Sequence, residues 1–575
     1  MIKSSVFHKM DKEYCYLLDK GVYLIKIKTA KNDLKKVILG YCDKYLNQRN
    51  VEIYGDIFYQ DMTKVAQDEL FDYYEVEFKF NALVTRYFFE LIDFDGKTSF
   101  YTGYHFYEER PTKHENMFDA SQPVREEEMF MTPSWADGAI VYQIFPERFA
   151  RANLDTSGNW YKFPMHYMDK LGGSIRGIID GLNYLKDLGI EVIYLTPIFK
   201  SSSNHKYNTN DYLEIDPDFG NEEDLKELVL KAHENNIKII LDGVFNHTGY
   251  EFAPFQDLLK NQENSKYKDW YYPFSFPIKA KRGEKPNFWT FGYTPFMPKL
   301  NTSNKEVRDY IFKVVRKWLD FGIDGWRLDV ADEVSHDFWK EFRKVVKAKN
   351  KDALIIGEVW YESSPWLLGD EYDTVMNYLF NNNVKNILLK DNYKVTDFDN
   401  ANNFLRGRMH KKVLPLLWNL IDSHDTARFI TEANDNKTAL KLALSLQMTL
   451  PGMPMIYYGD EIGLSGSFDP DCRRGMLWDE EKQDKELLNY YKKWINIHKK
   501  YKLLKNGDFK TILADDINNI YIFSRYKDED EIYVIFNFGN KPQKVAYIES
   551  LQIIDELEYD GLIHQNSTYV FKKKN

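Results

Sequence analysis

The chain has 575 residues, more than one hydrophobic core can serve, so several structural units are expected. Hydrophobic residues make up 43% and charged residues 29%, with 19 Pro and 30 Gly, which supplies core material and excludes a disordered or collagen-like chain. Its 77 basic and 88 acidic residues leave a net charge of −11, and no basic block offers the counterion release that drives nucleic-acid binding, so nucleic acid is not expected as a partner.

Charges interrupt the N-terminal segment before an apolar signal region develops, and no apolar run reaches membrane-spanning length. Cys15, Cys42 and Cys472 are odd in number and far apart, which supports neither a disulfide framework nor a zinc site. A cytoplasmic protein with no membrane association is expected. The 12 Trp, 41 Tyr and 39 Phe admit two readings: rings that stack on sugar faces, or half-buried strand residues.

In chain order, residues 1–122 alternate in the manner of antiparallel strands: GVYLIKIKT, KVILGYC, YYEVEFKF and TRYFFELIDFDGKTSFYT, with Asp95-Gly96 as a hairpin signal. They predict an N-terminal β-sandwich. An acidic run at residues 126–128 between Pro123 and Pro133 shows no periodicity and reads as a linker. From Ala139 strands alternate with amphipathic helices. AIVYQIF, EVIYLTPIF, IKIILDGVFNH, FGIDGWRLDV, DALIIGEVW, DTVMNY, LLWNLIDSHD and GMPMIYYGDE supply eight strands, the number of a closed (β/α)8 TIM barrel over residues 123–503. One helix is predicted over IRGIIDGLNYLKDLG, and Ser303 with Glu306 carries a capping-box signature for another. Residues 248–302 are too long for a simple loop and predict an inserted subdomain. INNIYIFSRY, EIYVIFNFG and STYVFKK predict a C-terminal antiparallel β domain over 504–575.

Chemistry in a barrel is sought where strands end. In GWRLDV, period two puts Gly325, Arg327 and Asp329 on one face, Glu358 ends GEVW, and two further strands end in Asp422, His424 and Asp425 and in Asp242, Asn246 and His247. Several carboxylates with no phosphate loop or cysteine nucleophile suit glycoside hydrolysis by a nucleophile and an acid. The rivals are a structural ion pair and a metal site, although no histidine pair has ligand spacing.

The ordered segments DGVFNH, GWRLDVADE, GEVW and LIDSHD resemble the four signature segments of the alpha-amylase family of glycoside hydrolases. MPKLN, YQIFPERF, SNHKYNTNDY and the N-terminal sandwich are similar to its neopullulanase, cyclomaltodextrinase and maltogenic amylase group. The resemblance covers essentially the whole chain. It implies Asp329 as nucleophile, Glu358 as acid and base, and Asp425 as the stabiliser gripping sugar hydroxyls. It further implies substrate contacts by Arg327, His247, His424, His205, Tyr207, Trp360, Asp469, Arg473 and Glu333. Arg327 is expected to keep Asp329 ionised, and Trp360 to give Glu358 an apolar wall that raises its pKa.

The implied substrates are α-glucan oligosaccharides: cyclomaltodextrins, pullulan and maltooligosaccharides. A glucosyl transferase or isomerase and a non-catalytic carbohydrate-binding barrel are the other readings. Departures from the family pattern are Asp332, Ser335 and Asn208, and a calcium loop, ARANLDTSG, that has lost carboxylates, with Ser174 after Gly172 and Gly173. No cofactor and no metal site are therefore expected. The resemblance also implies a homodimer in which each sandwich covers the partner's barrel, with Tyr41 and Tyr45 in the GYCDKY turn reaching across.

Overall fold

The computed structural model describes residues 1–45, 56–103, 105–113 and 116–574. Alternation along the first strands sends Tyr23, Ile25 and Ile27, Val37 and Leu39, and Tyr87, Phe89 and Leu91 into one buried layer. Two sheets close over it. One orders Cys15–Asp19, Val22–Ala30, Phe71–Lys79 and Thr63–Gln67; the other orders Phe58–Asp61, Leu34–Asp43, Val84–Asp93, Thr98–Tyr101 and Phe106–Tyr107, with Phe118–Ser121 along Val84–Asp93. Gly96, at φ +80, turns the predicted hairpin.

Two details of this region differ from expectation. The GYCDKY segment is mostly strand rather than turn, and Tyr41 packs on Phe78 at 4.6 Å and Phe58 at 5.7 Å inside an aromatic cluster, leaving Tyr45 as the exposed ring. The acidic run is helical in Gln122–Glu127, with proline at the helix start where no amide hydrogen bond is lost.

Eight parallel strands close a barrel in sequence order. They are β1 (Val141–Ile144), β2 (Val192–Leu195), β3 (Lys238–Gly243), β4 (Gly325–Leu328), β5 (Leu354–Gly357), β6 (Thr374–Asn377), β7 (Trp418–Leu420) and β8 (Met453–Tyr457). Val141, Tyr194, Ile240, Ile356, Met376, Trp418 and Met455 fill the barrel interior, while the opposite strand faces pack against the helices.

The helix predicted over IRGIIDGLNYLKDLG is split into Ile175–Asp180 and Leu182–Leu188 at Gly181, where a Cβ would press on Phe149 at 3.0 Å. The cap of Lys305–Asp320 is Asn304, not Ser303: the Asn304 carboxamide oxygen accepts from the amides of Glu306 at 2.8 Å and Val307 at 3.4 Å. Spacing alone favoured Ser303, but the chain enters the helix one residue later. Between β3 and β4 lie the helix Ala253–Asn261, short turns and the bridges His247–Lys299, Pro273–Phe288 and Thr290–Pro298.

The sandwich leans on the barrel's flank. Tyr16 stacks on His410 at 3.8 Å, the Lys26 ammonium donates to the Met409 carbonyl at 2.7 Å, and Arg406 donates to the Val65 carbonyl at 2.7 Å. At the other end five antiparallel strands run in the order Asp508–Asp515, Ile520–Lys527, Asp530–Asn537, Ser567–Lys573, Leu551–Ile553. One face of this sheet joins the barrel's helical layer. The buried Arg525 fixes it by donating to the carbonyls of Thr449 and Leu504, both at 2.8 Å.

The cap gives a direct test. Asn304→Ala should cost about 1 kcal/mol and lower the thermal unfolding midpoint, because two helix amides lose their acceptor. Ser303→Ala should be neutral. A midpoint that falls for Ser303→Ala and holds for Asn304→Ala contradicts the assignment.

Candidate active site

Strand alternation delivers the central cation. Gly325 and Arg327 of β4 point into the barrel, and Trp326 and Leu328 point outward. Position 325 tolerates nothing larger than glycine, since a Cβ would sit 2.2 Å from the Leu354 carbonyl oxygen. Arg327 is fully buried, and its guanidinium pairs with Asp242 at 2.9 Å, Asp329 at 3.2 Å and Glu358 at 2.8 Å. Three strand ends therefore meet on one side chain.

Just past Asp329, Val330 lies in the left-handed region at φ +45, a strained conformation for a β-branched residue. That turn directs its amide to Glu358 Oε2 at 3.0 Å.

One guanidinium does not balance three buried carboxylates. Burial, and then the charge of Glu358, push the Asp329 carboxyl well above the usual range, with Arg327 opposing. Burial also raises Glu358, again against Arg327, and holds Asp242 at about 6. The expectation that Arg327 keeps Asp329 ionised is corrected accordingly: burial outweighs the neighbouring cation. Trp360 is corrected too. Its indole N–H donates to Glu358 Oε1 at 3.1 Å, which favours the carboxylate, and the burial of the whole site is what raises the pKa. The Trp360 ring stacks on Tyr378 at 3.8 Å, leaving the indole half-exposed.

His247 and His424 are buried and His205 half-buried, and all three are held in the neutral form. Gln143, on β1, donates its amide to His424 Nδ1 at 2.7 Å, so the network assigns the proton of His424 to Nε2. That nitrogen lies 2.5 Å from the Tyr207 hydroxyl and 3.1 Å from Asp425, while Tyr207 donates to Asp242 at 3.0 Å. Burial, with Arg473 and Arg327 nearby, drives the His424 pKa well below its ordinary value. Burial takes His205 and His247 to about 3. His247 donates to the Tyr207 carbonyl at 3.2 Å and stacks on Phe291 at 5.1 Å; His205 Nδ1 accepts from the Tyr207 amide at 3.2 Å.

Opposite them, Arg473 spans Asp469 at 2.8 Å and Asp425 at 3.2 Å, and its Nε donates to the His424 carbonyl at 2.8 Å. These groups border one cleft of about 460 Å³ whose lining includes Asp329, Glu358, Asp425, His205, His247 and Trp360. No residue of 1–122 lines it among the described residues.

Some predicted residues lie outside the cleft lining. Arg327 and His424 support it from beneath through the contacts above. Glu333 instead pairs with Lys299 at 3.6 Å and accepts from the Asn246 amide at 3.3 Å. Asp422 accepts from the Phe429 amide at 2.6 Å behind the strand ends. Ser335 caps the helix His336–Lys349, and Asn208 accepts from Ser201 within its own loop at 2.8 Å, whereas Asp332 does line the cleft. Tyr167, Phe291 and Met297 also line it and were not anticipated as site residues. They sit in aperiodic loops; only the MPKLN segment, which begins at Met297, carried a signal.

The loop after Phe149 does not fit calcium. The Arg151 guanidinium donates to the Leu171 carbonyl at 2.6 Å, the Ser157 carbonyl at 2.8 Å, Asn159 Oδ1 at 3.1 Å and Asp155 at 3.4 Å. The oxygens that would coordinate a metal are engaged by a cationic side chain, and Ser174 is a helix cap accepting from the Gly177 amide at 3.2 Å. Among the described residues, no three His, Cys, Asp or Glu side chains gather as a metal site.

Comparison with known proteins agrees with this geometry. The family described as "Alpha amylase, catalytic domain" matches residues 143–524, and "Alpha amylase, N-terminal ig-like domain" matches 1–122. The chain is 42% identical to a cyclomaltodextrinase of Thermoanaerobacter pseudethanolicus, over all of both chains. It is 40% identical to neopullulanase 2 of Thermoactinomyces vulgaris, over 95% of this chain and 92% of that one. A solved cyclomaltodextrinase structure superposes with a TM-score of 0.91 at 38% identity, covering 100% of this chain and 98% of the other. The chain belongs to the alpha-amylase family of glycoside hydrolases, in its cyclomaltodextrinase, neopullulanase and maltogenic amylase group.

Proposed function

We propose that the enzyme hydrolyses α-1,4 bonds, and the α-1,6 bonds that pullulan presents, in cyclomaltodextrins, pullulan and maltooligosaccharides, with retention of configuration and with transfer to sugar acceptors as a competing outcome. The observation that carries this reading is the Arg327 guanidinium in contact with both Asp329 and Glu358 at the floor of a cleft walled by rings. A single guanidinium spanning both carboxyls favours the roughly 5 Å separation of retaining enzymes over the wider gap that accommodates a water.

Asp329 acts as nucleophile at the anomeric carbon. Glu358 gives its proton to the departing glycosidic oxygen, then takes one from the water that attacks the covalent intermediate. Burial raises both carboxyls against Arg327, which touches both, and in the proposed mechanism Asp329 acts in its ionised form and Glu358 in its protonated form. Asp425 holds sugar hydroxyls of the distorted ring, with Arg473 fixing its carboxylate and His424 donating beside it. His205, Tyr207 and His247 wall the same side; Asp469 and Arg473 bound its end.

The assembly we propose is a homodimer whose sandwiches cover each other's clefts. It is supported by the sandwich lying on the barrel flank, away from its own cleft, and by the exposed Tyr45 ring. The compartment is proposed to be the cytoplasm, which suits three buried free thiols. No helix among the described residues is long and apolar enough to cross a membrane. The loop after Phe149 is proposed to work without calcium, Arg151 supplying the positive charge.

Three measurements test this reading. Asp329→Asn should lower kcat by several orders of magnitude and leave maltotriose binding nearly intact, and Glu358→Gln should recover activity on substrates whose leaving group needs no proton. More than a few per cent residual turnover in Asp329→Asn, or β-anomer as first product by NMR, contradicts the assignment. Chelation should leave the unfolding midpoint of the wild type unchanged while Arg151→Met lowers it; a fall on chelation, restored by calcium, overturns the metal-free loop. Light scattering should give a dimer, and dilution into monomer should lower the ratio of cyclodextrin to starch hydrolysis; an unchanged ratio removes the partner lid.

A further inference from the structure

A second cavity of about 550 Å³, in the size range of small-molecule sites, opens where the sandwich meets the barrel. Its walls are the Asp68–Phe71 turn of the sandwich and two barrel helices, Tyr378–Leu389 and Val395–Arg408. No residue of the catalytic cleft belongs to it.

Its chemistry narrows the ligand. The half-buried rings of Tyr393 and Phe404 supply apolar faces. At its rim the exposed Asn382 and the half-buried Asn400 have no protein partner among the described residues, and each side-chain amide offers a donor and an acceptor. Arg408 lies over the Phe404 ring at 4.2 Å, and its buried Nε–H has no acceptor. No described carboxylate ion-pairs with this guanidinium, and although it hydrogen-bonds the Tyr73 hydroxyl, its Nε–H remains an unmet donor in a partly enclosed site.

Asp68, Glu69 and Asp397 border the same space and can only accept hydrogen bonds when ionised. An anion that satisfied Arg408 would meet these three carboxylates. A hydrocarbon would leave the buried Arg408 Nε–H unpaired and would cover the half-buried Asn400 amide without bonding it. A neutral molecule with dense hydroxyls on a ring bearing an apolar face meets every group at once, because each hydroxyl both donates and accepts. That description is a pyranose.

We propose that this cavity is a second glucan site, taking the glucosyl end of a linear oligosaccharide outside the cleft. The choice of glucan among pyranoses rests on the activity proposed above. The position is suited to coupling with the sandwich: the site is made jointly by the Asp68–Phe71 turn and the Val395–Arg408 helix, so an occupied pocket holds the two units together.

The test uses the full chain carrying Asp329→Asn, so that sugar is bound and not hydrolysed, and titrates maltotriose by calorimetry. Two binding events per chain are expected. Adding Ala401→Trp, which places a large ring in the cavity wall, should remove one event and leave the other's affinity unchanged. Asn400→Ala, a milder change at a half-exposed position, should weaken that same event roughly three- to tenfold, as loss of one hydrogen bond does. Inorganic phosphate should compete with neither event.

A single event untouched by Ala401→Trp and Asn400→Ala overturns the second site, and phosphate competition at the event those variants affect overturns the neutral-polyol assignment. A single event that both variants diminish keeps the pocket and rejects the cleft reading. No event at all rejects both.

Discussion

A buried guanidinium facing three carboxylates is the constraint around which this enzyme is arranged. Charge inside a protein is costly unless paired, and Arg327 has no exposure to solvent through which to relax. Its partners Asp242, Asp329 and Glu358 arrive from the ends of three neighbouring strands, so strand register and closure of the barrel are what hold them within reach of one side chain. A barrel whose register slipped by one residue would turn Arg327 outward among the hydrophobic groups that contact Trp326. Burial and the same excess of carboxylate over guanidinium raise the pKa of Asp329 and Glu358, the direction that suits a mechanism in which one carboxyl carries a proton.

The layers around that pairing restrict its alternatives. Gln143 fixes the His424 tautomer, so that the imidazole presents N–H toward Tyr207 and Asp425. The strained Val330 turn brings a backbone amide to Glu358, and Trp360 gives it an indole donor. Each of these contacts is short-range and geometrically demanding, and together they leave Glu358 one orientation. A site whose groups are already oriented spends little on reorganisation when charge develops in the transition state.

Away from the cleft, Arg151 shows the same physics with the opposite outcome. A guanidinium among carbonyl and amide oxygens satisfies the loop after Phe149, and it does so with a cation that cannot dissociate. The Arg408 side chain contrasts with it: there a guanidinium N–H remains without an acceptor at a cavity between two structural units.

Much of this protein was legible in the residues themselves. Period-two alternation showed which face of GWRLDV turns inward, because a strand's side chains alternate whatever surrounds them, and eight strand-helix units in succession have one common closed solution. The strand-end acids Asp329, Glu358 and Asp425 followed from the same argument and from the family resemblance. Local competition between equivalent signals was not legible: Asn304 displaced Ser303 as the helix cap, and Gly181 broke a helix whose apolar spacing was continuous. Nor were contacts made by aperiodic loops, which place Tyr167 and Phe291 at the cleft and withdraw Glu333 to Lys299. The protonation of the site belonged to the tertiary structure as well. Sequence places Arg327 beside Asp329 and predicts an ionised acid; burial, which depends on every segment packed above and below, reverses the sign of that shift because desolvation penalises charge more than one shared cation restores it.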